Sequence, residues 1–117
     1  MKTLLIAIII MMPVIGSAQN QTAMRIASDV AEMTQGYIGE TKSFDGVVGI
    51  HVVPNEYMDF TMMRTMIGMI HHSHHDLSVA QSWKKEDDGY IYVLARNRTE
   101  FYAIYYTDGN LIVYYQN

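Results

Sequence analysis

The residues of this sequence best suited to chemistry are the histidines of one short string, HHSHHD, at positions 71–76. Four of the five histidines in the chain lie there. If the string continues a helix, His71 shares a face with His75, and His72 shares a face with Asp76. Imidazole and carboxylate ligands at that separation suit a divalent ion such as Zn²⁺, Cu²⁺ or Ni²⁺. The metal ligands that this string predicts are His71, His72, His74, His75 and Asp76.

Five methionines precede the histidines at helical spacing and suggest a soft thioether site for Cu⁺. They are Met58, Met62, Met63, Met66 and Met69. Residues placed at 100° intervals on a helix put these methionines on the apolar arc and His71, His72 and His75 on the opposite arc. The two sets therefore cannot form one site on one helix, and methionines at this spacing are more often core residues.

The histidine string also has two interpretations that need no metal. Partly charged imidazoles stabilise the C-terminal end of a helix, where the macrodipole is negative. Adjacent imidazoles with reference pKa values near 6.5 would also charge and repel one another on mild acidification, as a pH sensor requires. His51 stands apart in an apolar stretch. We expect it to be a hydrogen-bonded buried or rim residue rather than a metal ligand.

Recognisable catalytic patterns are missing from the sequence. It has no cysteine nucleophile, no GxSxG or HExxH motif and no glycine-rich phosphate loop. We therefore expect a protein that is not an enzyme and that needs no cofactor, a divalent metal ion at the histidine string excepted. The formal net charge of −4 also argues against a nucleic-acid surface, which needs clustered Lys and Arg.

The first eighteen residues have the pattern of a cleavable export signal. Lys2 precedes an uncharged run over residues 4–15, and Gly16 and Ala18 fit the −3 and −1 positions of a cleavage site. As a helix this run would measure about 18 Å, which is short against a hydrocarbon core of roughly 30 Å. The sequence therefore predicts a secreted or periplasmic protein with no stable membrane span after cleavage and a single domain over residues 19–117.

The elements that must position these residues follow an α+β pattern. Helical spacing predicts one helix over about residues 22–36 and a second over about 56–72. Between them lie a polar stretch over residues 39–46, which we interpret as a loop, and a β-branched strand over 47–53. Four antiparallel strands then follow as a meander. We expect both helices to pack on one face of this antiparallel sheet.

Turn residues in the meander set its register. Asp-Gly at 108–109 is a strong signal for a two-residue hairpin. If Asn-Arg at 97–98 is also a two-residue turn, Val93 pairs with Tyr102. The residues that then share the helix-facing side are Ile91, Val93, Tyr102, Ile104, Tyr106, Leu111, Val113 and Tyr115. A slip of one residue would exchange the two faces.

The opposite face of the predicted meander is aromatic and suggests a binding surface. Its candidate binding residues are Tyr90, Tyr92, Phe101, Tyr105 and Tyr114. Tyrosine offers a large, rigid contact area with a polar tip, which suits a protein, peptide or glycan partner or a second copy of the chain. Ordinary cross-strand packing, or cover by a curled sheet or the N-terminal helix, would explain the same residues without a ligand.

These patterns lead to two functional hypotheses. The first is a small exported, non-catalytic binding protein that uses the tyrosine-rich sheet face. The alternative is a secreted or periplasmic metal-binding protein that uses the string at 71–76.

Overall fold

A computed structural model describes residues 18–116. The predicted export signal, apart from Ala18, lies outside the described residues. The elements are α1 (Ala18–Met33), β1 (Tyr37–Phe44), β2 (Val47–Val53), α2 (Phe60–Ser73), β3 (Ser78–Glu86), β4 (Gly89–Arg96), β5 (Glu100–Thr107) and β6 (Asn110–Gln116).

The six strands form one antiparallel sheet in the order β1-β2-β6-β5-β4-β3. The predicted α+β class is confirmed, and the sheet contains one strand more than expected. This strand is β1, where the sequence predicts a loop over residues 39–46. As an edge strand, β1 is mostly exposed, and its pairing shifts between Ile38 and Thr41. It therefore carries no apolar alternation that would mark it as a strand.

Both helices pack on the same face of the sheet, which we call the inner face. The buried residues of α1 are Ala23, Ile26, Ala27 and Val30, and those of α2 are Met63, Met66, Ile67 and Ile70. Helix α2 begins later than the predicted residue 56, because Asp59 is its N-cap. The side chain of Asp59 accepts a hydrogen bond from the backbone N–H of Met62 at 2.8 Å.

The predicted register is confirmed between β5 and β6, where Tyr106 pairs with Leu111. Between β4 and β5 it is wrong by one residue, because three residues, not two, connect Arg96 to its partner Glu100. Tyr92 and Leu94 therefore face the helices, whereas the sequence places them on the opposite side. The inner face of the sheet carries Tyr92, Leu94, Tyr102, Ile104, Tyr106, Leu111, Val113 and Tyr115.

The opposite side of the sheet, which we call the outer face, carries a second and smaller apolar cluster. The cluster consists of Val47, Ile91, Val93, Ala103 and Tyr105, with Phe101, Ile112 and Tyr114 partly buried against it. Ile91 and Val93 belong to this cluster because of the shifted register of β4.

Candidate functional site

Two of the five predicted aromatic binding residues lie on the inner face and belong to the core. The ring of Tyr90 stacks on Phe60 of α2 with ring centroids 3.8 Å apart. The ring of Tyr92 lies against Trp83 at 4.9 Å, and Tyr92 is 8% exposed. Tyr90 therefore packs against α2, and Tyr92 packs against β3 on the side of the sheet that the helices cover.

The other three predicted residues, Phe101, Tyr105 and Tyr114, lie on the outer face. Tyr105 is only 2% exposed, and its hydroxyl donates a hydrogen bond to the Asp88 carboxylate at 2.6 Å. Burial, followed by that hydrogen bond, raises the pKa of Tyr105. Tyr105 is thus a packed residue, and Tyr114 is the predicted aromatic residue that lines an open pocket.

This pocket has a volume of about 260 Å³ and lies on the outer face across β1, β2 and β6. Val47, Gly49 and Ile112 form its apolar base, and Phe44 and Tyr114 are its aromatic residues. The polar residues of the lining are Glu40, Lys42, Ser43 and His51. An apolar lining with a few polar groups is the usual composition of a ligand pocket.

Gly49 makes room for the ring of Tyr114 in the pocket. It pairs with Tyr114 across β2 and β6. A Cβ atom at Gly49 would lie 2.9 Å from Cε1 of Tyr114 and 3.3 Å from Cγ2 of Ile112. The Tyr114 ring therefore lies directly over the glycine. Burial raises the pKa of the Tyr114 phenol. A glycine inside a strand often marks such a close approach.

His51 lines the pocket and carries an unsatisfied polar atom. Its Nε2 is buried and has no hydrogen-bond partner among the described residues. The expectation of a hydrogen-bonded histidine is therefore wrong for this atom. An unpaired buried polar atom costs about 1–3 kcal/mol.

The sequence carries a signal for this pocket that is not a chemical motif. Positions 47, 49 and 51 alternate along β2, so their side chains share one face. Gly49 interrupts a β-branched strand, and His51 is the polar residue of that strand. The two anomalies lie two residues apart and line the same pocket.

The histidine string begins in the last turn of helix α2 and ends in the loop that follows it. Helix α2 ends at Ser73 with His74 as its C-cap. His75 and Asp76 therefore lie beyond the helix, and the predicted pairs four residues apart do not share a helical face. This expectation is wrong because it assumed that the helix continues through the string.

Three residues of the string have partners on other elements or loops. His71 donates from Nε2 to the Leu77 carbonyl at 2.9 Å. His74 donates from Nε2 to the carboxylate of Asp29 on α1 at 2.8 Å. The carboxylate of Asp76 accepts a hydrogen bond from Nε of an arginine on β4 at 2.8 Å.

That arginine, Arg96, joins the loop after α2 to the central sheet. Its Nη1 donates to the Glu100 carboxylate at 2.8 Å, and the same carboxylate oxygen accepts a hydrogen bond from the Tyr102 hydroxyl at 2.8 Å. The hydrogen bond from Arg96 also lowers the pKa of Asp76. Asp76 is thus held as a structural ion-pair partner of Arg96.

His72 and His75 are the exposed histidines of the string. Their ring centroids lie 6.1 Å apart. With His71 and His74 they line a shallow depression of about 300 Å³ beside Gly68. Within residues 18–116, no group of three or more His, Asp or Glu side chains is placed to hold a metal ion.

Comparison with known protein families, with curated proteins and with solved structures finds no match to this chain. Neither of the helices between residues 18 and 116 is long and apolar enough to cross a membrane.

Proposed function

We propose that this chain is a small exported, non-catalytic binding protein that receives an apolar group of its ligand in the outer-face pocket. The observation that carries the proposal is a mainly apolar pocket lined by His51, a residue whose Nε2 has no hydrogen-bond partner among the described residues. Such a site favours a ligand with an apolar body and one hydrogen-bonding atom.

The size of the pocket limits the group that it can accept. Its volume of about 260 Å³ lies slightly below the roughly 300–1,000 Å³ typical of sites for complete small ligands. It suits one aromatic side chain or one sugar ring. Phe44, which is 64% exposed, and Tyr114 would contact the faces or edges of that ring.

The position of the pocket favours a peptide or protein ligand over a glycan. Strand β1 is an edge of the sheet, and it contributes Phe44 to the pocket. An edge strand presents unpaired backbone groups to which an extended peptide can add as a further strand. A peptide on that edge would place alternate side chains towards the outer face.

The polar groups of the pocket favour binding over catalysis. Ser43 and His51 are residue types of nucleophilic catalysis, and such a pair must lie within hydrogen-bond reach. Because His51 Nε2 has no partner within the described residues, it does not contact the Ser43 hydroxyl through that atom. Glu40 and Lys42 lie at the exposed rim with Oε2 and Nζ 3.6 Å apart.

Indole and toluene are suitable probes, because both carry an apolar ring and only indole carries an N–H group. We expect nuclear magnetic resonance titrations to shift the amide signals of Gly49, His51 and Tyr114 with both probes. Indole should bind more tightly, because its N–H group can pair with His51 Nε2. Replacing His51 by Leu should abolish the preference for indole.

Two exposed aromatic residues of β1 provide a matched pair of variants. Phe44→Ser removes an aromatic residue of the pocket, whereas Tyr37→Ser removes a similarly exposed ring that does not line it. We expect only Phe44→Ser to weaken indole binding. Equal loss in both variants, or no binding of either probe to the unmodified chain, would contradict the proposed function.

A further inference from the structure

A methionine and two histidines lie together at the C-terminal end of α2. Met69 is 58% exposed, although the helical pattern assigns it to the buried arc. The prediction that the methionines and histidines occupy opposite arcs is therefore wrong at this position. His72 follows Met69 by three residues, which places the two side chains on one face with Cβ atoms about 5–6 Å apart.

His75 approaches the same place from the loop that follows the helix. The rings of His72 and His75 have centroids 6.1 Å apart and planes inclined at 74°. An ion held by two imidazole nitrogens at about 2.0–2.1 Å brings the ring centroids within roughly 6 Å of each other. Rotation of the two exposed side chains is therefore enough to direct both nitrogens at one ion.

The surroundings leave space for an ion and keep the remaining histidines out of the site. A Cβ atom at Gly68 would have no neighbour within 4 Å, so the depression beside the histidines is open. His71 and His74 already donate from Nε2 to Leu77 and Asp29. Binding at His72 and His75 requires neither of these hydrogen bonds to break.

We propose that Met69, His72 and His75 bind Cu⁺. The donor set is one soft thioether sulfur and two imidazole nitrogens, and thioether ligands select Cu⁺ over harder ions. Zn²⁺ and Ni²⁺ would need a third nitrogen or oxygen ligand, and no group of three such side chains is placed for a metal between residues 18 and 116. This site lies on the helical side of the sheet and does not depend on the outer-face pocket.

Competition for Cu⁺ tests the proposal on the full chain, purified without a tag. The chain is titrated without oxygen, in ascorbate, against Cu⁺ held by the coloured chelator bicinchoninate. We expect the unmodified chain to withdraw Cu⁺ and Met69→Leu to bind it at least about tenfold more weakly. Losing only the hydrogen-bonded partner of a ligand already costs about 10–100-fold, so losing a ligand should cost no less.

Met62 provides the matched control. It is 50% exposed on the same helix, and Thr65 rather than a histidine follows it by three residues. Met62→Leu should therefore leave the Cu⁺ affinity unchanged, whereas His72→Asn and His75→Asn should each lower it. Thermal melts should coincide for all four variants, because the replaced side chains are exposed.

Methionine methyl signals give a direct readout of the sulfur. Ag⁺ shares the ligand preference of Cu⁺ and is not oxidised in air. In a chain labelled with ¹³C at the methionine methyl groups, Ag⁺ should shift the Met69 signal and leave the Met62 signal in place. The proposal is overturned if the unmodified chain does not compete for Cu⁺, or if Met69→Leu and Met62→Leu behave alike.

Discussion

Gly49 has no Cβ atom, and this leaves room for the Tyr114 ring. The absence of that atom therefore shapes the outer-face pocket. The added Cβ of Gly49→Ala would meet a ring, which is the mobile part of a partly exposed side chain, and not the backbone. We therefore expect the ring to turn towards the pocket, with indole binding largely lost. The cost in the free energy of unfolding should stay within the about 1–3 kcal/mol of overpacking.

Urea unfolding and the indole titration separate these two effects of Gly49→Ala. A variant that binds indole normally would show that the glycine does not shape the pocket. Gly68→Ala is the control, because its Cβ meets nothing within 4 Å. In the exposed interior of α2 this change should raise the free energy of unfolding by up to about 1 kcal/mol.

The histidine string shows how far residue-level prediction extends. The composition of positions 71–76 singles out four histidines, and all four line one depression that Asp76 does not line. The spacing of these residues in the sequence does not predict their hydrogen-bond partners. Asp29 lies 45 positions before His74, and Arg96 lies 20 positions after Asp76. Only the packing of α1 and β4 brings these charges to the string.

At the scale of elements, turn chemistry explains both the correct and the incorrect predictions. Asp108-Gly109 fixes the β5–β6 register, and Asp45-Gly46 carries the same signal with positive φ at both residues. This second signal was available in the sequence and would have identified β1. The β4–β5 connection has no such signal. Its loop has three residues, 97–99, and the third is Thr99, which is not one of the residue types that dominate turns.

The register of β4 predicts a large stability effect at Tyr92. In the structure this ring packs against Trp83 on the inner face. Tyr92→Ala should therefore lower the free energy of unfolding by about 3–5 kcal/mol, as for other large aromatic truncations in a core. It should also change the fluorescence of Trp83, the single tryptophan of the chain.

Urea unfolding followed by fluorescence measures both quantities. Phe44→Ser serves as the comparison, because replacing this exposed residue of β1 should lower the free energy of unfolding much less. If Tyr92→Ala unfolded like the unmodified chain with unchanged emission, β4 would have to present its other face to the helices. The register predicted from the two-residue turn would then be the correct one.

At the scale of the whole molecule, the chain has no cysteine, so no disulfide constrains the unfolded state. Its described core is one sheet with an inner face under two helices and a smaller outer cluster. Tyrosines contribute to both clusters, and burial raises the pKa of six of the nine tyrosines in the chain. These are Tyr92, Tyr102, Tyr105, Tyr106, Tyr114 and Tyr115.

The raised pKa values predict a protein that is sensitive to alkali. The ordinary tyrosine pKa is 10.0, and burial raises that of Tyr106 to about 12. Above pH 10 the unfolded chain ionises first and binds fewer protons than the folded chain, so stability falls as pH rises. Below pH 10 the contribution is fully present. The Tyr106 phenol should cost about 1 kcal/mol of the free energy of unfolding for each pH unit between these two values, and the other five tyrosines should act in the same direction.

Urea unfolding between pH 8 and pH 11, followed by Trp83 fluorescence, measures this slope. We expect a nearly constant free energy of unfolding up to about pH 9 and a steady fall between about pH 10 and pH 11. Tyr105→Phe should reduce the slope above pH 10, because it removes one buried phenol while keeping the ring. A free energy that stayed level to pH 11 would mean that the buried tyrosines ionise as easily in the folded chain as in water, which is incompatible with their position in the two apolar clusters.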